Sequence, residues 1–164
     1  MRKVFFSFHF EKDAWRTSQV RNIRHIDGSK QASDNDWETI KRGGDTAIKR
    51  WIGTQLDGRT CTVVLIGSNT AKREWINYEI IESWKRKMGV VGIYIHNLKD
   101  SDLSQSLKGK NPFDYLVFGT GGPKLSTVIK TYDAPYTDSK KVYEYIALGL
   151  SDWIEEAIRI RNAR

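Results

Sequence analysis

Trp75 and Glu79 stand four residues apart. On a helix that spacing puts both on one face, a carboxylate beside an indole. The stretch before them, Val63-Val64-Leu65-Ile66-Gly67-Ser68, begins apolar and ends in a polar turn, Ser68-Asn69-Thr70. It reads as a buried strand, followed by a helix carrying Trp75, Tyr78, Glu79, Ile81, Trp84 and Met88. Open α/β sheets place ligand sites where a strand feeds a helix through such a loop. A carboxylate beside an indole at that crevice is the sharpest chemical suggestion in the chain. The competing reading is a solvated helix face, the ordinary place for Glu, shared here with Lys72 and Arg86.

Other constellations are missing. There is no G-x-x-x-x-G-K-[ST], and no G-x-G-x-x-G follows a strand. Gly119 to Gly122 precedes a strand candidate and reads as a turn. A response-regulator receiver needs acidic residues ending its first and third strands to hold magnesium. Here those strands end in Ser7-Phe8-His9 and Gly67-Ser68. No nucleophile elbow surrounds Ser68, which reads as a residue capping or lining the turn. One cysteine, Cys61, excludes an internal disulfide and reads as a buried thiol. With three isolated His it makes no zinc set, so no metal site is expected.

The elements that must position Glu79 follow in chain order. Lys3 to Phe8 is a strand candidate, followed by the loop His9 to Asp13. Asp13 is expected to cap a helix from Ala14 that carries Trp15 and Val20. Ile23 to Ile26 suggests a weaker strand ending at Asp27-Gly28. Gly28 to Asp36 is polar and reads as a loop, with Trp37 and Ile40 anchoring a helical turn. Asp45 is expected to cap a helix whose apolar positions are Ala47, Ile48, Trp51, Ile52 and Leu56. After the Glu79 helix, closed by Met88-Gly89, Val90 to Ile95 is another strand. The polar segment from His96 to about Pro123 is expected to be functional or to hide a short element. Ser126 to Tyr132 is the last strand candidate, and Asp138-Ser139 caps a final helix through Ile158. Strands alternating with helices predict a flavodoxin-like three-layer α/β sandwich. Its central parallel sheet would have about five strands in order 2-1-3-4-5.

The chain has 164 residues, which fits a single domain spanning 1–164. Hydrophobic residues at 39% are enough for a core, and 12% aromatics argue against disorder. A net charge of +7 allows an anionic partner, but Lys and Arg are dispersed, with only short runs such as Lys85-Arg86-Lys87. Weak, sequence-independent nucleic-acid binding is all that such dispersion predicts. No leader-like segment and no apolar run of ~18 residues appears, so the expectation is a cytoplasmic protein with no membrane partner.

Several short motifs, taken in order, resemble a known family. Val4-Phe5-Phe6-Ser7-Phe8-His9 looks like the first strand of a Toll/interleukin-1 receptor (TIR) domain. Gly43-Gly44-Asp45, the helix through Trp51, the strand Cys61 to Ile66, Ser68 and Trp75-Ile76-Asn77-Tyr78-Glu79-Ile80 resemble its central part. The closer resemblance is to the ThsB-like proteins of the bacterial Thoeris antiphage system, supported by Gly92-Ile93-Tyr94-Ile95. It covers about residues 3–96.

That resemblance implies an enzyme whose substrate is NAD, with no separate cofactor. Glu79 matches the key residue of catalytic TIR domains. The nicotinamide–ribose bond would break, giving ADP-ribose or a cyclic ADP-ribose-type signal sensed by a separate effector protein. Nicotinamide is already a cationic leaving group, so no general acid is needed. An oxocarbenium-like transition state needs a nearby negative charge. Phe6, Ser7, Phe8, His9, Ser68, Asn69 and Trp75 are the expected substrate-binding residues, with Phe8 and Trp75 placed to stack on flat rings. Trp75 is equally well read as core. Where many catalytic TIR domains carry a basic residue soon after the first strand, this chain has His9, then Lys12. The resemblance also implies self-association, because a neighbouring subunit completes many TIR sites. Two rival readings stand beside it: a non-enzymatic TIR-type interaction module, and a basic nucleic-acid-binding domain.

Overall fold

The computed structural model describes residues 2–23, 26–28 and 39–164. The loop and turn expected between 29 and 38, including Trp37, lie outside the described residues; residues 39–42 are helical. Five strands form one sheet: β1 (Arg2–Ser7), β2 (Ile26–Gly28), β3 (Cys61–Ile66), β4 (Gly89–Tyr94) and β5 (Thr131–Tyr132). Their order is β2-β1-β3-β4-β5, and every neighbouring pair is parallel. The expected order and the side-by-side parallel run of the first, third and fourth strands are both present.

The sheet is covered on both faces, which is why β3 and β4 are mainly apolar, Thr62 apart, and completely buried. Successive side chains alternate between the faces. Val4, Phe6, Cys61, Val63, Leu65, Val91 and Ile93 pack under α1 (Phe10–Arg21) and α4 (Ser139–Asn162). Val64, Ile66 and Val90 pack on the other face beneath Ile76 and Ile80 of α3 (Glu74–Lys85). Phe5 joins Ile48, Ile52 and Leu56 of α2 (Gly44–Leu56) on that same side. Cys61 is a buried free thiol, and burial pushes its pKa up.

Several element ends differ from expectation. The first helix starts at Phe10, not Ala14, and its N-cap is His9, whose Nδ1 accepts from the Lys12 amide at 3.2 Å. Asp13 is 1% exposed and pairs with Arg16 inside the protein instead of capping. Asp45 does not cap α2 either; Gly43 occupies that position and supplies no side chain. α3 stops at Lys85, and Lys87 adopts a left-handed φ of 62°, so Met88 enters the core beside Phe5 rather than continuing the helix. Of the stretch 126–132, only Thr131–Tyr132 is strand; Leu125–Thr127 is a 3₁₀ turn.

The long polar segment hides a short element. Pro112–Tyr115 is a 3₁₀ turn capped by Asn111, whose side chain accepts from the Phe113 amide at 2.9 Å. Phe113 is fully buried against β3, β4 and α3, so the segment is anchored to the sheet.

Asp138 caps α4 as expected: Oδ1 accepts from the Lys141 amide at 3.1 Å. Asp138→Ala should lower stability, as loss of a side-chain N-cap does. Chemical denaturation reads this directly, and an unchanged midpoint would refute the cap's contribution.

Candidate active site

β1 and β3 end side by side, with Ser7 in register with Val64. Ser7 is 1% exposed, on the same sheet face as Phe5, and points beneath α3. Its hydroxyl donates to Glu79 Oε1 at 2.8 Å across 72 residues of sequence. One turn further along the helix, Ser83 Oγ donates to the Glu79 carbonyl at 2.6 Å and sits 2.6 Å from Thr62 Oγ1. The inner face of α3 is therefore apolar at Ile76 and Ile80 but polar at Glu79 and Ser83. Hydroxyls from β1 and β3 meet these polar groups.

Glu79 is partly buried, not a solvated helix residue. Burial pushes its pKa up from 4.5 to about 8, and the Ser7 hydrogen bond pulls the other way. A carboxylate held neutral near pH 7 with a single side-chain donor costs stability to ionise. That is the arrangement expected of a group reserved for a reaction or a ligand. Arg86, which the sequence placed on a shared surface with Glu79, instead pairs with Asp57 at 2.7 Å and Glu82 at 3.2 Å.

The other expected site residues separate into groups. Ser7 meets Glu79. Phe6 lies on the opposite face of the sheet, in the core under α1 and α4, and Phe8 packs against that same core. Phe8 and Phe10 have ring centroids 6.4 Å apart. Trp75 packs with Tyr78, edge to face at 5.8 Å, against the apolar cluster of α2. His9 caps α1, and its pKa is lowered by burial and then by the nearby Arg73 guanidinium. Ser68 and Asn69 border a cleft beside the β3 end, with Ala71, Lys72, Arg73 and the segment Leu107 to Lys110.

Two features were missed from sequence. One is the buried pair Asp13–Arg16, whose i,i+3 spacing was its only signal. The other is the cleft, built from two basic segments far apart in the chain. Among the described residues, no cluster of three or more His, Cys, Asp or Glu is placed to hold a metal ion. Nor is any helix there long and apolar enough to cross a membrane.

A five-stranded parallel sheet in this order, covered on both faces, is a flavodoxin-like α/β fold and is consistent with a TIR-like domain. The chain belongs to the family described as Thoeris protein ThsB, TIR-like domain, whose family model matches residues 5–100. It is 38% identical over 120 residues to a Bacillus cereus (strain MSX-D12) protein named "Putative cyclic ADP-D-ribose synthase ThsB1". That match covers 70% of this chain and 62% of the relative, so the chain spans less than two thirds of the relative's length.

Proposed function

We propose that this domain breaks the N-glycosidic bond between nicotinamide and ribose in NAD, with Glu79 as the central residue. The single observation that carries the reading is the partly buried Glu79 carboxyl, bonded to Ser7 at the carboxyl edge of the sheet. The relative's name, "Putative cyclic ADP-D-ribose synthase ThsB1", supports a cyclic ADP-ribose product, and NAD is the substrate that the likeness to catalytic TIR domains implies. In the reaction the C1′–N bond breaks, and its electron pair leaves with nicotinamide. C1′ becomes cationic, and ionised Glu79 stabilises it electrostatically. Water then captures C1′ and loses a proton, giving ADP-ribose. A nucleophile within the same molecule gives a cyclic product instead. The product would act as a signal in antiphage defence through a separate effector.

The raised pKa fits this chemistry. Substrate arrives with a positively charged pyridinium ring, which favours the ionised carboxylate as it binds. The free enzyme is therefore mostly neutral at Glu79, and the complex is mostly ionised. The expected pH profile follows: kcat/KM, which reports the free enzyme, rises through about pH 8, whereas kcat levels off at lower pH. Ser7→Ala removes the bond that lowers the pKa and should move the kcat/KM limb to higher pH. A kcat/KM profile flat from pH 6 to 9 would contradict this role for Glu79.

The direct test is incubation of purified protein with NAD, with products separated by mass spectrometry. Appearance of nicotinamide with ADP-ribose or its cyclic isomer is expected. A protein inert towards NAD even at high concentration would move the reading to a TIR-type interaction module.

A further inference from the structure

We propose that the cleft beside the β3 end is the diphosphate subsite of the same active site, formed by Arg73, Lys110, Lys72 and Lys108. The proposal rests on the NAD reading above for its ligand and on the cleft's own geometry for its place. The cleft has a volume of about 740 Å³, and its lining contains these four cations and no carboxylate. Lys108 is partly neutralised by Asp133 at 2.9 Å, and Lys72 lies over the Tyr115 ring at 4.6 Å. Arg73 spends one N–H on the Asn69 carbonyl at 3.0 Å. Among the described residues, neither Arg73 nor Lys110 has a carboxylate partner. Uncompensated cations lining a concavity call for an anion, and fork-like guanidinium groups suit phosphate.

The cleft is a built feature of the fold. Gly109 lies directly on the Gly67 carbonyl, where any Cβ would collide with the backbone, so the Lys108-Gly109-Lys110 segment is seated on the end of β3. Lys72 holds a left-handed φ of 67°, an uncommon conformation for a lysine, immediately before α3. Phe113 anchors the far side of the segment in the core.

Position ties the cleft to Glu79. Arg73 is the N-cap residue of α3, and Glu79 lies six residues on, about 9 Å along the axis at 1.5 Å per residue. A dinucleotide with its diphosphate between Arg73 and Lys110 must turn its nicotinamide ribose round the first turns of α3 towards Glu79, which does not itself line the cleft, and lay its adenosine along the 107–110 segment.

The test uses equilibrium binding of ADP-ribose, ADP and nicotinamide riboside to wild type, Arg73→Ala, Lys110→Ala and the charge reversal Lys110→Glu. All variants are checked by thermal melting. ADP-ribose and ADP should bind at least ~10-fold more weakly to Arg73→Ala and Lys110→Glu, while nicotinamide riboside, which has no phosphate, is unaffected. Wild-type affinity for ADP should fall steeply with salt. In turnover, KM for NAD should rise by a similar factor with kcat nearly unchanged. Folded variants with wild-type affinity for ADP-ribose would overturn the subsite, and so would a short oligonucleotide binding more tightly than ADP-ribose. If the wild type does not consume NAD yet loses ADP-ribose affinity in these variants, the diphosphate subsite stands and the NAD-cleaving reading falls. If NAD is consumed and the variants bind normally, the reverse holds.

Discussion

Glu79→Gln is expected to lower NAD turnover by at least ~100-fold, the scale of removing one preorganised electrostatic contact. Gln keeps the shape and can still accept from the Ser7 hydroxyl at the position where Oε1 now lies 2.8 Å away. What it loses is the ability to become negative when C1′ becomes positive. Glu82→Gln is the internal control. Glu82 lies on the same helix but engages Arg86 at the surface, and its replacement should leave turnover unchanged. A folded Glu79→Gln protein with normal turnover would remove the proposed mechanism.

The same substitution should leave the protein equally or more stable, with a definite pH dependence. The folded-state pKa of Glu79 lies above its unfolded value, so the unfolded chain ionises first as pH rises. The stability associated with protonated Glu79 is thus fully present below about pH 4.5 and is lost progressively up to about pH 8. Gln carries no such dependence. Its advantage over Glu should be on the order of 1 kcal/mol at pH 5 and a few kcal/mol by pH 8, discounted for partial exposure. Urea titrations at the two pH values measure the difference. A variant less stable than wild type at pH 8 would mean that Glu79 supports the fold, and its effect on activity could no longer be read as chemistry.

Much of the fold was legible because parallel strands covered on both faces must be apolar runs. Val63 to Ile66 and Val90 to Tyr94 announced themselves in that way, and the helices between them forced parallel neighbours. β5 was overextended because only Thr131 and Tyr132 pair, and the local pattern of Ser126 to Tyr132 does not reveal where a partner strand stops. The exchange of roles between His9 and Asp13 has a similar cause. Both can cap a helix, and the choice depends on Arg16 and Gly67, against which the Asp13 carboxylate is packed. Glu79 was visible as a candidate from its place after β3, but its burial was not. That follows from Ser7, 72 residues away, and from the packing of α3 on the sheet. The basic cleft was invisible for the same reason: Lys72-Arg73 and Lys108-Gly109-Lys110 look like ordinary surface charges until Gly109 is seen on Gly67.

Arg16→Met is expected to destabilise the protein by about 3–5 kcal/mol, the usual cost of leaving one partner of a buried ion pair alone. Arg16 is 4% exposed and Asp13 is 1% exposed, joined at 3.1 Å. The guanidinium also donates to the Leu98 carbonyl at 2.8 Å and the Ser104 carbonyl at 2.9 Å. One side chain thus ties α1 to the chain that leaves β4 and runs towards the cleft. Burial already raises the Asp13 pKa against the opposing pull of Arg16, and losing Arg16 should raise it further. Because that folded-state pKa lies above the unfolded one, the deficit in Arg16→Met should shrink as pH falls and Asp13 takes up a proton. Arg16→Lys keeps the charge but cannot span the carboxylate and both carbonyls, so its loss should be intermediate. Asp13→Asn combined with Arg16→Met removes the stranded charge and should recover part of the stability. Urea denaturation at neutral and mildly acidic pH measures all three variants, and hydrogen exchange should show faster opening between residues 98 and 106. A loss below about 1 kcal/mol in Arg16→Met, or a double variant no better than the single, would show that the stability of this edge resides elsewhere.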